Sequence, residues 1–174
     1  MQAQKPDRKP YEYKYEGVPN NIYSFETSRG FIYQISFTPT PYLFGEDSIH
    51  SKDTYELSLS VIFNPTDENP PFDYRTALTL ATVFGDFYDR SDDTITLYIC
   101  ASYDNRQLIR AELFGRWFHH FQRDDYARLD LVLRDSTGER YPVCLIIKET
   151  NPYRTEVFEA FMQAVTGYNQ GKPE

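Results

Sequence analysis

Glycine is scarce in this chain of 174 residues, with eight dispersed along its length. There is no Gly-x-x-x-x-Gly-Lys loop and no Gly-x-Gly-x-x-Gly turn, so a backbone cradle for nucleotide phosphates is not expected. Cysteine is scarcer still: Cys100 and Cys144 each sit inside an apolar run. They read as reduced core thiols of a cytoplasmic protein, and neither has a histidine or basic neighbour in sequence to activate it as a nucleophile. No serine is framed by a Gly-x-Ser-x-Gly elbow, so no catalytic residue is assigned. The three histidines are His50, His119 and His120. Adjacent histidines on a helix point about 100° apart, whereas a shared metal ion needs a spacing of three or four; no metal site and no cofactor are expected. No apolar run approaches the roughly 20 residues of a membrane-spanning helix, and no charged start followed by an apolar segment suggests a signal peptide. Positive charge is also short: 18 Lys and Arg stand against 26 Asp and Glu, a net charge of −8. That balance opposes attraction to phosphate backbones, so nucleic acid is an unlikely partner class on charge alone.

What the chain has in abundance is aromatic residues, 15 Tyr, 13 Phe and one Trp. Tyrosine has an apolar body and a polar tip, so some of these rings should lie half-exposed, as rings at interfaces do. The length suits one domain with a sizeable core, placed at residues 11–168. The polar ends "MQAQKPDRKP" (1–10) and "NQGKPE" (169–174) are expected to be disordered tails.

Period-two alternation marks "YEYKY" (11–15), residues 22–27 and 31–38, and "TYELSLSVIFN" from Thr54 as strands, each with one apolar and one wet face. Gly30 supplies the positive φ of a hairpin turn. "FDYRTALTLATVFGDFY" reads as a helix capped by Asp73, with Ala77, Leu80, Ala81, Phe84 and Tyr88 on its inner stripe. A strand follows at 94–100, and a second helix is expected over Tyr103–Phe121. "RLDLVLRD-STGE-RYPVCLIIK" is a hairpin whose second strand is apolar on both faces and therefore internal to the sheet. A last helix begins at Pro152 with Asn151 as cap and buries Tyr153, Val157, Phe161, Ala164 and Val165. The expected fold class is α+β: a mainly antiparallel sheet of about six or seven strands with three helices packed on one face, a two-layer sandwich.

The segments "FETSRGFIYQISF", "LYICASYDNRQLIRAELFGRWF" and "RYPVCLIIK" resemble an uncharacterised bacterial family, a domain of unknown function. The shared signature is a strand ending in a cysteine, an Asp-x-Arg turn, and a helix with an Arg-x-x-Leu-Phe-x-x-Trp-Phe core. The resemblance spans roughly residues 11–166 and implies a small intracellular bacterial protein; it carries no activity, ligand or site.

Three places could carry function. On the helix over Tyr103–Phe121, Leu113, Phe114, Trp117, Phe118 and Phe121 form the core face and His119 points outward. Asp104 is the expected cap, with Gln107 completing a capping-box arrangement. Arg106 and Arg110, four residues apart, fall beside that apolar face. Buried guanidinium groups must be paired, here with Asp73, Asp86 or Glu149; otherwise Asp104, Arg106 and Arg110 form a candidate site for a small anion or nucleotide ligand. The acidic run "DFYDRSDD" (86–93) fits no calcium loop and reads as a solvated turn. The third place is the 15-residue segment "PTPYLFGEDSIHSKD" (39–53), unusually long for a connection inside a domain. Its Tyr42, Leu43 and Phe44 belong to no strand and are candidate partner-binding residues. The preferred reading is a non-catalytic protein-interaction module using this loop or a tyrosine-bearing sheet face. The alternatives are an anion- or nucleotide-binding protein or enzyme built on Arg106 and Arg110.

Overall fold

The computed structural model describes residues 9–71, 73–99, 115, 118, 119 and 125–173. The alternating stretches form strands β1 (Tyr13–Gly17), β2 (Ile22–Glu26), β3 (Ile32–Pro39), β4 (Thr54–Phe63), β5 (Ile95–Ile99), β6 (Tyr126–Arg134) and β7 (Arg140–Lys148). They make one seven-stranded sheet in the order β1-β2-β3-β4-β5-β7-β6. Every pair is antiparallel except β4 with β5. A parallel pair needs a crossover, and helix α1 (Tyr74–Tyr88) supplies it; helix α2 (Arg154–Asn169) follows β7. The α+β class holds. Two helices are complete among the described residues, not three. Most of the expected helix over Tyr103–Phe121 lies outside the described residues, and Gly115, Phe118 and His119, which are described, are helical.

The helices do not share a face, contrary to the two-layer expectation. Successive strand residues point to opposite sides of a sheet. On β7, Val143, Leu145 and Ile147 pack with Val157, Phe161 and Val165 of α2. Cys144 and Ile146 pack with Val83, Phe87 and Tyr88 of α1. The sheet therefore lies between α1 and α2, which is why β7 is apolar on both sides. On the α1 side the core is aromatic: Phe37 stacks on Phe87 at 3.9 Å and Phe25 on Tyr33 at 5.2 Å. Tyr23 and Tyr88 are fully buried there. The tyrosine-bearing face of β2–β4 is thus core and not a free surface. Beyond the reach of α2, the opposite face of these strands carries Ser24, Gln34, Ser36, Ser58 and Ser60, aligned across the pairings Ser24↔Gln34, Gln34↔Ser60 and Ser36↔Ser58.

Local signals explain the helix ends. The Asp73 carboxylate accepts from the Arg75 amide at 2.9 Å, as a cap should. Thr76, Thr79, Val83 and Phe87 join Ala77 and Tyr88 in the buried stripe, while Leu80 and Phe84 are half-buried beside it. α2 starts two residues later than expected. Asn151 still accepts from the Tyr153 amide at 2.8 Å, but Pro152 and Tyr153 form a turn ahead of the first helical residue, Arg154. Asn169, assigned from sequence to a tail, closes α2. Its carboxamide donates to Val132 O at 2.7 Å and accepts from the Arg134 amide at 2.8 Å, pinning the helix to edge strand β6.

Candidate functional site

Between β3 and β4 the chain folds as a string of turns. Leu43 N donates to Thr40 O, Gly45 N to Tyr42 O, Ser48 N to Gly45 O, Ser51 N to Ser48 O and Asp53 N to His50 O, while Thr40 N reaches Thr54 O at 2.9 Å. Gly45 sits at φ +88°, a conformation only glycine adopts without strain. These bonds satisfy part of the loop's polar backbone internally. Its inner side is apolar: Leu43 and Phe44 are half-buried against the β5–β7–α2 core. His50 is only 7% exposed. Its ring meets Phe44 edge-on at 6.2 Å and Tyr153 at 5.2 Å, Nε2 lies 3.2 Å from Glu156 Oε1, and Thr54 Oγ1 donates to the His50 carbonyl at 2.8 Å. At the loop's end, burial pushes the Asp53 carboxyl above the usual carboxylate range, and nearby Asp93 adds to this against the opposing pull of Lys52 and His50.

Held in this way, the loop turns Tyr42 (68% exposed) and Ile49 (62%) outward. Of the three residues singled out in sequence, only Tyr42 is presented to solvent; Leu43 and Phe44 are the anchors. Ile49 and the 41%-exposed Tyr153 were not expected to be available. Tyr153 was placed on the inner stripe by its spacing, but it precedes the helix, so helical spacing does not govern its direction.

Asp104, Arg106 and Arg110 lie outside the described residues. Among the described residues, the three proposed acidic partners have contacts of their own. Asp73 accepts from Tyr11 Oη at 2.6 Å and caps α1. Asp86 accepts from Tyr23 Oη at 3.0 Å and faces Arg90. Glu149 pairs with Arg154. The run at 86–93 is tied down in the same way, with Asp92 at 2.7 Å from Lys148 Nζ, which holds its carboxyl below the ordinary range. Among the described residues no group of three or more His, Cys, Asp or Glu side chains is placed to hold a metal ion, and no helix is long and apolar enough to cross a membrane. Arg90 lies over the Tyr15 ring at 3.9 Å and Arg75 over the Tyr11 ring at 4.0 Å, so both cations are engaged with aromatic faces. A second group of exposed apolar residues, Val61, Ile62 and Phe63, ends β4.

The model of one family, described as a family of unknown function (DUF6169), matches residues 72–163. The match runs from the start of α1 into α2 and excludes β1–β4 with their connecting loop, a shorter span than the resemblance read from sequence. No curated protein and no solved structure matches the chain.

Proposed function

The chain belongs to this family of unknown function, which assigns it no chemistry, and we propose from the geometry of the 39–53 loop that it is a non-catalytic protein-interaction module of a bacterial cytoplasm. The observation that carries the reading is the two-sided loop: Leu43 and Phe44 pack on the β5–β7–α2 core and His50 meets Tyr153 and Glu156, while Tyr42 and Ile49 face out. A loop fixed by its own core loses little conformational freedom when a partner docks. An outward tyrosine supplies a large contact area, and such residues dominate binding energies. Val61, Ile62 and Phe63 are exposed too, at the end of β4 where it pairs with β3.

Replacing Tyr42 with a photo-crosslinking phenylalanine derivative in the native host tests this, with Glu12 on the far edge of the sheet as the control position. The expected result is one adduct specific to position 42, whose purified partner forms a stoichiometric complex. Tyr42→Ala with Ile49→Ala should weaken that complex about 30-fold, the effect of losing roughly 2 kcal/mol at a central contact. Equal adducts at both positions, or a complex indifferent to the double substitution, would refute the reading.

A further inference from the structure

Resting on the loop reading, we infer that the occupant of this surface is a basic segment of another protein, one that carries Lys or Arg beside apolar side chains. The loop that carries Tyr42 and Ile49, and the chain around Tyr153, are rich in acidic residues. The loop contributes Glu46, Asp47 and Asp53, and the start of α2 with the turn before it contributes Glu149, Glu156 and Glu159, against only Lys52 and Arg154. Arg154 pairs with Glu149, and the Lys52 charge acts on neighbouring Asp53. Glu46, Asp47 and Glu159 are exposed, and Glu156 remains 61% exposed while it touches His50.

An apolar centre with a charged rim is the ordinary anatomy of a docking surface, and the sign of the rim selects the partner. A second copy of this chain is disfavoured, because an isologous contact brings each patch against itself and would set these carboxylates face to face. Nucleic acid and anionic membrane surfaces are repelled for the same reason. A cationic segment with apolar side chains satisfies both the rim and the centre.

The probe is a fluorescein-labelled peptide of alternating leucine and lysine pairs, compared with the same peptide carrying glutamate for lysine, with binding read by fluorescence anisotropy at low and high salt. The lysine peptide should bind and the glutamate peptide should not. Glu46→Gln with Asp47→Asn should raise Kd roughly fivefold, and adding Glu156→Gln should bring the loss to roughly tenfold, with the loss shrinking in high salt. Glu46→Gln/Asp47→Asn leaves the His50–Glu156 contact intact, so its effect does not depend on the loop staying docked. Neutralising exposed Glu12 and Glu16 at the sheet's far edge removes the same charge elsewhere and should change Kd less than twofold.

Equal loss from both neutralised pairs overturns the inference, since the peptide then reads net charge only. Equal binding of the two peptides, with both weakened by Tyr42→Ala/Ile49→Ala, overturns the basic partner and leaves the loop reading standing. If neither peptide responds to Tyr42→Ala/Ile49→Ala, or neither binds, the inference falls; the crosslinking result then judges the loop reading separately. A shift to dimers in sedimentation that Tyr42→Ala abolishes would also overturn it, in favour of self-association.

Discussion

Tyr88→Phe tests the way α1 is fastened to the sheet. Tyr88 is completely buried. Its hydroxyl lies 2.7 Å from Ile146 O on β7 and 2.8 Å from Thr96 Oγ1 on β5. A phenol has one proton, and the carbonyl can only accept, so the Tyr88 proton goes to Ile146 and the Thr96 hydroxyl donates to Tyr88. Removing the oxygen leaves a buried carbonyl short of one donor and a buried hydroxyl without its acceptor. At about 1 kcal/mol for each net hydrogen bond, with some desolvation penalty, the loss is about 2 kcal/mol. At about 2–4 °C per kcal/mol for a chain of this size, the melting temperature should fall by about 4–8 °C. Urea unfolding of Tyr88→Phe, Thr96→Val and the double variant should show sub-additive losses, with a coupling of about 1 kcal/mol because the two substitutions remove one shared bond. Additive losses, or a Tyr88→Phe variant within about 0.3 kcal/mol of wild type, would refute the bridging geometry, the latter lying inside the usual scatter of neutral substitutions.

Two further outcomes follow from the same kind of accounting. Asn169→Ala removes both bonds to the edge of β6 and should cost about 1–2 kcal/mol, with faster amide exchange at Arg134 seen by hydrogen–deuterium exchange; unchanged exchange there would contradict the pinning. Stability should also respond at both ends of the pH scale. The Asp135 carboxyl is lowered to about 2, first by the Thr137 hydroxyl and then by the amides of Thr137 and Glu139 and the Tyr141 hydroxyl. Its contribution is therefore complete above the ordinary carboxylate range and disappears as pH falls toward about 2. Burial raises the phenols of Tyr23, Tyr33, Tyr55 and Tyr88. Their contribution is complete below the ordinary tyrosine pKa of about 10 and is lost as pH climbs past it. Urea midpoints that stay flat from neutral pH through the alkaline range would contradict this.

Strands were legible because two-residue alternation records a buried face directly: Phe31, Tyr33, Ile35 and Phe37, the alternate apolar residues of the 31–38 stretch, are all buried. What alternation cannot record is which helix covers which face. The signal was present in β7, where Val143, Leu145 and Ile147 are as apolar as Cys144 and Ile146, and a strand apolar on both sides needs cover on both. Taken further, that observation excludes helices on one face alone. The α1 stripe read from spacing left out Thr76, Thr79, Val83 and Phe87, which are buried. Thr79 Oγ1 donates to the Arg75 carbonyl at 2.6 Å and accepts from the Tyr11 amide at 2.8 Å, so it is buried fully bonded.

The loop was legible only as an anomaly of length. Its turns impose no repeat, so spacing could not separate Tyr42 from Leu43 and Phe44; the burial of Leu43 and Phe44 follows from tertiary packing on the β5–β7–α2 core, and the His50–Glu156 contact spans 106 residues of sequence. Part of the tyrosine surplus answers to charge. With acids outnumbering bases, several carboxylates are met by phenol donors: Tyr11 with Asp73, Tyr23 with Asp86, which also faces Arg90, and Tyr141 with Asp135. Each phenol supplies a hydrogen bond from an apolar ring without requiring a second buried charge, which avoids the desolvation cost of an ion pair. These pairs absorb acids beside the core and at the hairpin. Glu46 and Asp47, in the same loop as Tyr42 and Ile49, and Glu159 on α2 remain exposed, so part of the acidic balance visible in composition lies in the segments through which we propose the protein meets its partner.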